Sequence, residues 1–325
     1  MFIWNVLVLA VGFWALIKGA DFFVEGSAAL AKNFRISGLV IGLTIVAAGT
    51  SAPELAVSTT AALQGANEIA LSNVVGSNIF NLLCVLGACA VICPVSTGKE
   101  VLKRDFSVSI IATMLVFLAA GAAPVFSGHI FQMGMGERAG EIGRSAGMFL
   151  AVLFLVYIAY LIMDAKKHPV QEDDMEKRPI GRCLFWIAAG LALIVGGGQG
   201  VVYSAKEIAR ALGMTETLIG LTIVAVGTSL PELVTSVVAA RKGETGLAVG
   251  NVIGSNIFNL LFILGISAMI HPVAVNAASV YDLGILIFVS LLTLLFLRSG
   301  KTLKRAEGAV MLAVYIADVA FAVIR

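Results

Sequence analysis

Long apolar segments alternate with short polar ones along the whole chain. A helix that crosses the hydrocarbon core of a bilayer needs about 20 predominantly apolar residues. Ten segments fit this pattern, at residues 3–30, 39–63, 69–93, 106–126, 147–163, 183–205, 217–240, 247–270, 281–297 and 307–324. The pattern therefore predicts an all-α transmembrane protein with ten membrane-spanning helices.

Two of the connections between these segments are longer than the others. Residues 127–146 are rich in glycine and are compatible with a short interfacial helix. Residues 164–182 are strongly charged and contain Pro169 and Pro179, as expected of a solvated linker. The chain thus divides into a first unit at 1–163, a hydrophilic linker at 164–182 and a second unit at 183–325.

Composition supports the membrane assignment. Hydrophobic residues make up 59% of the chain and charged residues only 13%, whereas soluble domains contain about 25% charged residues. The net charge of +2 is too small to indicate a nucleic-acid partner. The four cysteines and three histidines do not have zinc-like spacing, and we expect the cysteines to be small apolar packing residues.

The distribution of Lys and Arg predicts an orientation, because these residues accumulate in cytoplasmic loops. Loops after odd-numbered segments contain 16 Lys and Arg residues, and loops after even-numbered segments contain four. The odd-numbered loops, including the linker, are therefore predicted to be cytoplasmic. Both termini are predicted to lie outside, on the periplasmic or extracellular side of a cell (inner) membrane.

An internal repeat relates the two units. Residues 41–83 align without a gap to residues 219–261 at an offset of 178, with 28 of 43 positions identical. Each unit holds five predicted spans, an odd number, so the second unit must enter the membrane from the opposite side. Inverted repeats of this kind are common in secondary transporters, whose substrate sites lie near the membrane midplane at the repeat interface. A fused membrane scaffold without transport activity is the alternative.

The first motif inside the repeat is GTSAPE at residues 49–54 and GTSLPE at residues 227–232. Each copy places a glutamate, Glu54 or Glu232, in the middle of a predicted span, where ionisable residues normally face a cavity or pathway. Two hydroxyl residues precede each glutamate by four and three positions and share its helix face: Thr50, Ser51, Thr228 and Ser229. The prolines at 53 and 231 predict a broken turn that frees the carbonyls of Gly49 and Gly227.

The second motif is NVVGSNIFN at residues 73–81 and NVIGSNIFN at residues 251–259. Three of its polar residues recur every four positions and form one stripe on each helix: Asn73, Ser77 and Asn81 in the first copy, and Asn251, Ser255 and Asn259 in the second. Gly76 and Gly254 allow a neighbouring helix to approach closely. Asn73 and Asn251 are compatible with a purely structural role as hydrogen bonds between helices.

Together the two motifs supply carboxylates, hydroxyls, amides and carbonyls, without thiolate or imidazole. Such oxygen ligands suit hard cations. Ca²⁺ takes six to eight oxygens in flexible geometry, whereas Mg²⁺ prefers to keep its waters. Two carboxylates balance one Ca²⁺, and Na⁺ or protons are also compatible with the same groups.

In these paired motifs the sequence resembles the Ca²⁺/cation antiporter family, which includes the Na⁺/Ca²⁺ exchangers. The resemblance covers both units in the same order. It implies a sodium/calcium exchanger-like fold of two inverted five-helix repeats, and alternating access of one central site. It also implies that the ligands come from the second and third helices of each repeat, with two helix-break carbonyls in addition: Thr50, Ser51, Glu54, Ser77, Asn81, Thr228, Ser229, Glu232, Ser255 and Asn259, with the carbonyls of Ala47 and Ala225.

One position departs from part of that family. Some Na⁺- and K⁺-coupled members carry Asp where this chain has Asn259. With asparagine at both 81 and 259 the site has two formal negative charges, which speaks against K⁺-dependent exchange and leaves Na⁺ and H⁺ open as counter-ions.

Three alternatives follow from the same residues. The first is an H⁺/Ca²⁺ exchanger, or an exchanger of another divalent cation, that uses the same glutamates as proton carriers. The second is a cation channel, which needs a continuous polar path rather than polar residues clustered at mid-membrane. The third is an intramembrane enzyme, for which the sequence shows no nucleophile–base pair, metal triad or phosphate loop. We therefore expect a non-enzymatic antiporter without a cofactor, whose partners are Ca²⁺, Na⁺ (or H⁺) and the lipid bilayer, with no obligate protein partner.

Overall fold

The computed structural model is built almost entirely from helices. It describes residues 2–66, 68–96, 104–170, 178–214, 223, 225–300 and 302–324. Parts of two sequence predictions, the seventh span before residue 225 and the linker at 171–177 with its acidic residues 172–174, lie outside the described residues.

The α-helices follow one another closely along the chain. Their bounds are Phe2–Phe34 (α1), Gly38–Ile41 (α2), Ala47–Thr50 (α3), Ala52–Leu63 (α4), Glu68–Phe80 (α5), Leu86–Ile92 (α6), Phe106–Phe126 (α7), Arg144–Lys167 (α8), Ile180–Ala211 (α9), Ala225–Thr228 (α10), Leu230–Arg241 (α11), Thr245–Ile257 (α12), Leu264–Ile270 (α13), Ala277–Gly300 (α14) and Arg305–Ile324 (α15). Short π-helices at Gly42–Val46, Asn81–Val85 and Phe258–Ile263 join some of them into longer rods, and a 3₁₀-helix lies at His129–Gln132.

Six of these helical rods are long and apolar enough to cross a membrane, and a seventh qualifies if the bent pair Gly38–Thr50 and Ala52–Leu63 is one span. This confirms a predominantly helical membrane fold. Helices also lie at the other predicted positions, in α7, in α10 and α11, and in α15. These fall outside that count, so the total of ten spans stays a prediction.

Large apolar side chains on the outer faces are exposed, as expected where helices meet lipid. They are especially dense along α1, with Phe2, Ile3, Trp4, Val11 and Trp14 all exposed. The interior faces pack into one continuous apolar core that includes residues from both repeats. All four cysteines are free thiols; Cys89 and Cys183 are buried in this core, in agreement with the predicted packing role, whereas Cys84 and Cys93 are only partly buried.

Helices α1 and α9 occupy equivalent places in the two repeats and pack tightly along their lengths. Glycines make this possible: a Cβ on Gly19 would lie 2.8 Å from the carbonyl oxygen of Gly190, and one on Gly12 would lie 3.0 Å from that of Gly197. Helices in membranes associate through small residues of this kind because they let the backbones approach. The contacts are reciprocal, since Gly190 and Gly197 follow Gly12 and Gly19 by 178 positions.

Four short strands, which the sequence analysis did not predict, connect the repeats at their ends. Strand β1 (Val95–Ser96) pairs with β4 (Thr302–Leu303), and β2 (Arg138–Ile142) pairs with β3 (Val273–Asn276), both antiparallel. The strand after the third rod of each repeat thus pairs with the strand before the last helix of the other repeat. The pairing interlocks the two repeats. The predicted interfacial helix at 127–146 corresponds to the 3₁₀-turn followed by β2.

The helix that carries the first motif is broken where the proline requires it. Ser51 has φ −82° and ψ 11°, outside the helical region, and the segments on either side are bent by 49°. Pro53 then occupies the first turn of α4. An N–H at this position would have no intrahelical acceptor, so the lack of one in proline costs no hydrogen bond. Ser229 breaks the second copy in the same way, with φ −92° and ψ 7°.

The predicted close approach at the two motif glycines holds for only one of them. A Cβ on Gly254 would lie 2.7 Å from the Cα of Leu43 and 2.8 Å from the Cβ of Ala47. Gly76, at the equivalent place on α5, is exposed and has no described atom within 4 Å of that position. The close approach predicted at Gly76 is therefore not observed among the described residues, which do not include residue 221, the counterpart of Leu43.

Candidate functional site

Glu54 and Glu232 lie in the first turns of α4 and α11, directly after the two helix breaks, and are fully buried. The N-terminal end of a helix carries partial positive charge from its unpaired N–H groups, which favours a carboxylate there. The breaks therefore place both carboxylates at interior helix ends. Hydrogen bonds from serines of the opposite repeat link the two carboxylates, so they belong to one site.

Each carboxylate is held by the serine of the opposite repeat. The hydroxyl of Ser51 donates to Oε1 of Glu232 at 2.8 Å, and the hydroxyl of Ser229 donates to Oε1 of Glu54 at 2.9 Å. Ser51 and Ser229 are 178 positions apart, as are Glu54 and Glu232, so each bond is the counterpart of the other in the second repeat. Hydrogen bonds to charged groups are stronger than bonds between neutral groups, so this crossed pair ties the repeats together at their centre.

The remaining hydroxyl residues of the two motifs surround this pair. Ser77 lies 3.1 Å from Ser229 between their hydroxyl oxygens, and Ser255 lies 3.5 Å from Oε1 of Glu232. Thr228 is within hydrogen-bonding reach of Glu54. Thr50 donates across the interface to Oδ1 of Asn251 at 3.0 Å. The structure thus brings together all the hydroxyl residues that the sequence nominated.

The helix-break carbonyls are less available than the sequence suggested. The carbonyl oxygen of Ala47 accepts the N–H of Ser51 at 3.0 Å and lies 3.4 Å from the hydroxyl of Thr50. The N–H of Ser51 also points to the carbonyl of Gly49, which Pro53 leaves without its helical donor. Ala225 occupies the first position of α10. A role of the Ala47 and Ala225 carbonyls as ligands stays a prediction.

Asn81 and Asn259 lie at or next to the starts of π-helices and are buried. π-Turns inside helices occur frequently at functional sites. Each asparagine donates to an amide that the sequence analysis did not nominate: Asn81 to Oδ1 of Asn256, and Asn259 to Oδ1 of Asn78, both at 3.1 Å. Asn78 and Asn256 fall one position after Ser77 and Ser255, off the predicted stripe, so periodicity alone did not select them. Their presence in both copies of GSNIFN was the available signal.

Asn73 and Asn251 have the structural role that the sequence left open. The amide of Asn73 donates to the hydroxyl of Ser58 at 3.0 Å and to the carbonyl of Glu54 at 3.4 Å. Asn251 makes the equivalent bonds to Ser236 at 2.9 Å and to the carbonyl of Glu232 at 3.5 Å. These bonds join the two motif helices within each repeat.

Four acceptor oxygens of the site have no hydrogen-bond partner among the described residues. They are the second carboxylate oxygens of Glu54 and Glu232 and the side-chain oxygens of Asn81 and Asn259. Burying a polar atom without a partner costs about 1–3 kcal/mol, and these four occur as two pairs related by the repeat. An arrangement of buried acceptors without donors is suited to bind a cation through oxygen ligands.

Two clusters of charged side chains within the described part of the chain lie away from this site. Lys242 contacts Glu25 at 2.8 Å and Asp21 at 3.1 Å, both on α1. Partial burial lowers the pKa of Lys242, but its hydrogen bonds to Glu25 and Asp21 outweigh this and hold the pKa above its ordinary value. The cluster joins α1 to the end of α11.

The second cluster lies at the start of α7. Asp105 is fully buried and accepts from the Nε of Arg104 at 2.8 Å and from the hydroxyl of Tyr157 at 3.0 Å, and Arg104 also pairs with Asp164 on α8. Burial raises the pKa of Asp105, while the bonds from Arg104 and Tyr157 act in the opposite direction. This cluster fastens α7 to α8.

Comparison with known proteins supports the relation suggested by the motifs. The family model described as sodium/calcium exchanger protein matches residues 4–163 and 183–324. The match spans both repeats and omits the linker between them.

Individual relatives align over nearly the whole chain. The sodium/calcium exchanger MaX1 of Methanosarcina acetivorans is 34% identical, with 96% of this chain and 97% of the relative covered. The inner membrane protein YrbG of Escherichia coli is 32% identical, with 95% of this chain and 94% of the relative covered. The solved structure of the sodium–calcium exchanger NCX_Mj soaked with zero Na⁺ and Ca²⁺ superposes with a TM-score of 0.83 at 31% identity, covering 100% of both chains.

Proposed function

The chain belongs to the sodium/calcium exchanger family, and from that premise we propose that it exchanges Ca²⁺ for Na⁺ across a membrane by alternating access. The observation that carries the proposal is the set of four buried acceptor oxygens around Glu54 and Glu232 that have no donor among the described residues. These oxygens and the crossed serines would hold the transported ion between the two repeats.

The charge of the site favours Ca²⁺ as one of the two ions. Glu54 and Glu232 carry two formal negative charges, which balance one Ca²⁺, and the amide oxygens of Asn81 and Asn259 add neutral ligands. Ca²⁺ accepts such mixed oxygen sets in flexible geometry. Na⁺ would bind to the same oxygens, so the two ions would compete, and this competition would couple their fluxes.

Unequal packing of the two repeats supports alternating access. A Cβ on Gly42 would lie 2.6 Å from the carbonyl oxygen of Leu247, so the first half of the broken helix is packed tightly against α12. On the equivalent face of α5, Ser72 and Gly76 are exposed. With the predicted orientation, the packed side is cytoplasmic and the exposed side is external.

The cellular setting follows from the same arguments. The apolar helices identify a multi-pass membrane protein, and the similarity to the inner membrane protein YrbG supports a cell (inner) membrane. The distribution of Lys and Arg supports an orientation with both termini outside and the linker at 164–182 in the cytoplasm.

Ion flux into liposomes tests the proposal. Purified protein in liposomes is given external ⁴⁵Ca²⁺ under an outward Na⁺ gradient, an outward H⁺ gradient or no gradient. We expect uptake only with the Na⁺ gradient, and its loss in Glu54→Gln and Glu232→Gln, which remove one negative charge each. Glu68→Gln is the matched control, because Glu68 lies at the exposed start of α5, and it should transport as the unmodified protein does.

The other outcomes separate the alternatives. Uptake driven by the H⁺ gradient alone would replace the proposal with H⁺/Ca²⁺ exchange by the same glutamates. Retention of Na⁺-driven uptake in both glutamine variants would show that the site lies elsewhere. Absence of Ca²⁺ flux under every gradient would exclude Ca²⁺ as the transported ion under these conditions.

A further inference from the structure

Four asparagines are linked by hydrogen bonds between the repeats: Asn78 and Asn256 form a ring of two reciprocal bonds, and Asn81 and Asn259 donate to this ring. Asn78 donates from Nδ2 to the backbone carbonyl of Asn256 at 3.1 Å, and Asn256 donates from Nδ2 to the backbone carbonyl of Asn78 at 3.3 Å. The side-chain oxygens of the same two residues accept from Asn259 and Asn81. All four side chains are buried, so water does not compete for these bonds.

The ring leaves only one orientation for each amide. A backbone carbonyl can only accept, so the NH₂ groups of Asn78 and Asn256 must face the carbonyls. Their side-chain oxygens then face the neighbouring amides of Asn259 and Asn81. Two oxygens cannot hydrogen-bond to each other, so Asn259 and Asn81 must present their own NH₂ groups to the ring.

This orientation has a direct consequence for the ion site. With their NH₂ groups turned to the ring, Asn81 and Asn259 turn their oxygens away from it, and both oxygens have no donor among the described residues. A flipped amide would instead present two N–H donors to a cation and would repel it. The ring thus decides whether these two side chains attract or repel a positive ion.

We infer that Asn78 and Asn256 are positioning residues, which fix the amide orientation of Asn259 and Asn81 so that both present an oxygen to the transported cation. The inference rests on the proposed function and deepens it. The pairing crosses the repeats, because Asn256 of the second repeat orients Asn81 of the first, and Asn78 orients Asn259. Each half of the site therefore depends on a side chain from the other half.

A purely structural role makes a different prediction. Asn73 and Asn251 are also buried or half-buried asparagines whose amides donate to a hydroxyl and a backbone carbonyl. Neither of them donates to the side chain of Asn81 or Asn259, so neither orients a candidate ligand amide. They provide the comparison: Asn73→Ala removes interhelical hydrogen bonds of similar length without releasing a ligand amide.

The experiment measures Ca²⁺ binding rather than transport. The full chain is purified in Na⁺-free buffer, and the dissociation constant for CaCl₂ is determined by isothermal titration calorimetry, with the melting temperature of the ion-free protein recorded for each variant. Removal of groups that orient metal ligands typically weakens metal affinity by about 10- to 100-fold. We expect Asn256→Ala to weaken Ca²⁺ binding to this extent, and Asn73→Ala to leave it within about twofold while lowering the melting temperature similarly.

Double-mutant cycles identify which ligand each asparagine controls. If Asn256 acts through Asn81, the double variant Asn256→Ala/Asn81→Ala should bind Ca²⁺ no more weakly than Asn81→Ala alone. Asn256→Ala/Asn259→Ala should instead show the product of the two single effects. Asn256→Asp keeps an acceptor facing Asn81 and should not weaken binding, although it loses the bond to the carbonyl of Asn78.

Several results would overturn the inference. These are an unchanged Ca²⁺ affinity in Asn256→Ala, the same coupling to Asn81 and to Asn259, or a weakening in Asn256→Asp equal to that in Asn256→Ala. If Asn256→Ala fails to fold, the repeat-related cycle of Asn78 with Asn259 makes the same predictions. Unmodified protein that binds neither Ca²⁺ nor Na⁺ would overturn the proposed function itself, and the inference with it.

Discussion

Ser229 donates a hydrogen bond to the carboxylate of Glu54 at 2.9 Å, across the interface between two repeats that are separated by more than half the chain. Ser51 makes the equivalent bond to Glu232 at 2.8 Å. Each glutamate is therefore held in part by the other repeat. A movement of one repeat relative to the other must change both carboxylate environments at once, which is what an exchanger with a single central site requires.

Removal of one of these hydroxyls should weaken ion binding. Hydrogen bonds to charged groups contribute about 1.5–3 kcal/mol, which corresponds to about 10- to 150-fold in a dissociation constant. We expect Ser229→Ala and Ser51→Ala each to raise the Ca²⁺ dissociation constant by about tenfold or more, because each serine is also a candidate ligand. Calorimetric titration of the purified variants measures this.

Ser58→Ala is the matched control for the serine variants. Ser58 is a buried serine on the same helix as Glu54, and it bonds to Asn73 rather than to a carboxylate. Its Ca²⁺ affinity should remain unchanged. Equal losses in Ser58→Ala and Ser229→Ala would mean that general packing, and not the bond to Glu54, controls affinity.

The sequence predicted much of this site because its signals are local. Pro53 and Pro231 predict helix breaks from covalent structure alone, and the breaks occur at Ser51 and Ser229. The gapless repeat predicts that each feature occurs twice. The hydroxyls that precede each glutamate on one helix face indicate which side chains can meet it.

Other features depend on contacts between distant segments. The strands β1 to β4 are two to five residues long and form only because the ends of the two repeats meet. Asn78 and Asn256 lie off the periodic stripe, and their importance arises from each other's backbone carbonyls. The difference in exposure between Gly76 and Gly254 cannot be predicted from a symmetric repeat, because the two glycines occupy matching positions in the sequence.

Protons should compete with Ca²⁺ at this site. Metal ligands must be deprotonated to bind, so metal affinity depends on pH. A proton on Glu54 or Glu232 would occupy an oxygen that Ca²⁺ needs and would remove a negative charge. We expect the Ca²⁺ dissociation constant to rise as the pH is lowered from 8 to about 5, and the dependence to be shallower in Glu54→Gln. Calorimetric titrations in a series of Na⁺-free buffers test this, and an affinity independent of pH would contradict it.

The cluster at the start of α7 should contribute to stability but not to ion binding. Tyr157→Phe removes the hydroxyl that donates to the buried Asp105 at 3.0 Å. The loss of one such bond to a charged group should lower stability by about 1.5–3 kcal/mol. A lower melting temperature with unchanged Ca²⁺ affinity is the expected result.

Tyr160→Phe is the control for that variant. The ring of Tyr160 lies 5.7 Å from the guanidinium carbon of Arg104, and phenylalanine keeps this ring and its attraction for the cation. Its melting temperature should stay close to that of the unmodified protein. A loss as large as that of Tyr157→Phe would show that the bond to Asp105 is not the cause.

The two motif glycines should respond differently to the same substitution. A Cβ on Gly254 would collide with the backbone of Leu43 at 2.7 Å, whereas Gly76 has no described atom within 4 Å. Overpacking typically costs about 1–3 kcal/mol, and alanine is favoured over glycine in a helix by about 1 kcal/mol. We expect Gly254→Ala to melt at a lower temperature and Gly76→Ala to melt at an equal or higher one. Equal destabilisation of both would contradict the packing difference between the repeats.

Gly76→Ala should nevertheless slow transport. If the repeats exchange their packing during alternating access, α5 must then be approached as closely as α12 is here, and the added methyl group would obstruct that arrangement. The variant should bind external Ca²⁺ with unchanged affinity, because Gly76 donates no side chain to the site, yet its Na⁺-driven Ca²⁺ uptake into liposomes should fall by about tenfold or more. That loss corresponds to about 1.4 kcal/mol in the switching barrier, within the range expected for overpacking. Uptake at the unmodified rate would show that the close approach at Gly254 is not repeated at Gly76, and would exclude an exchange of packing between the repeats as the transport step.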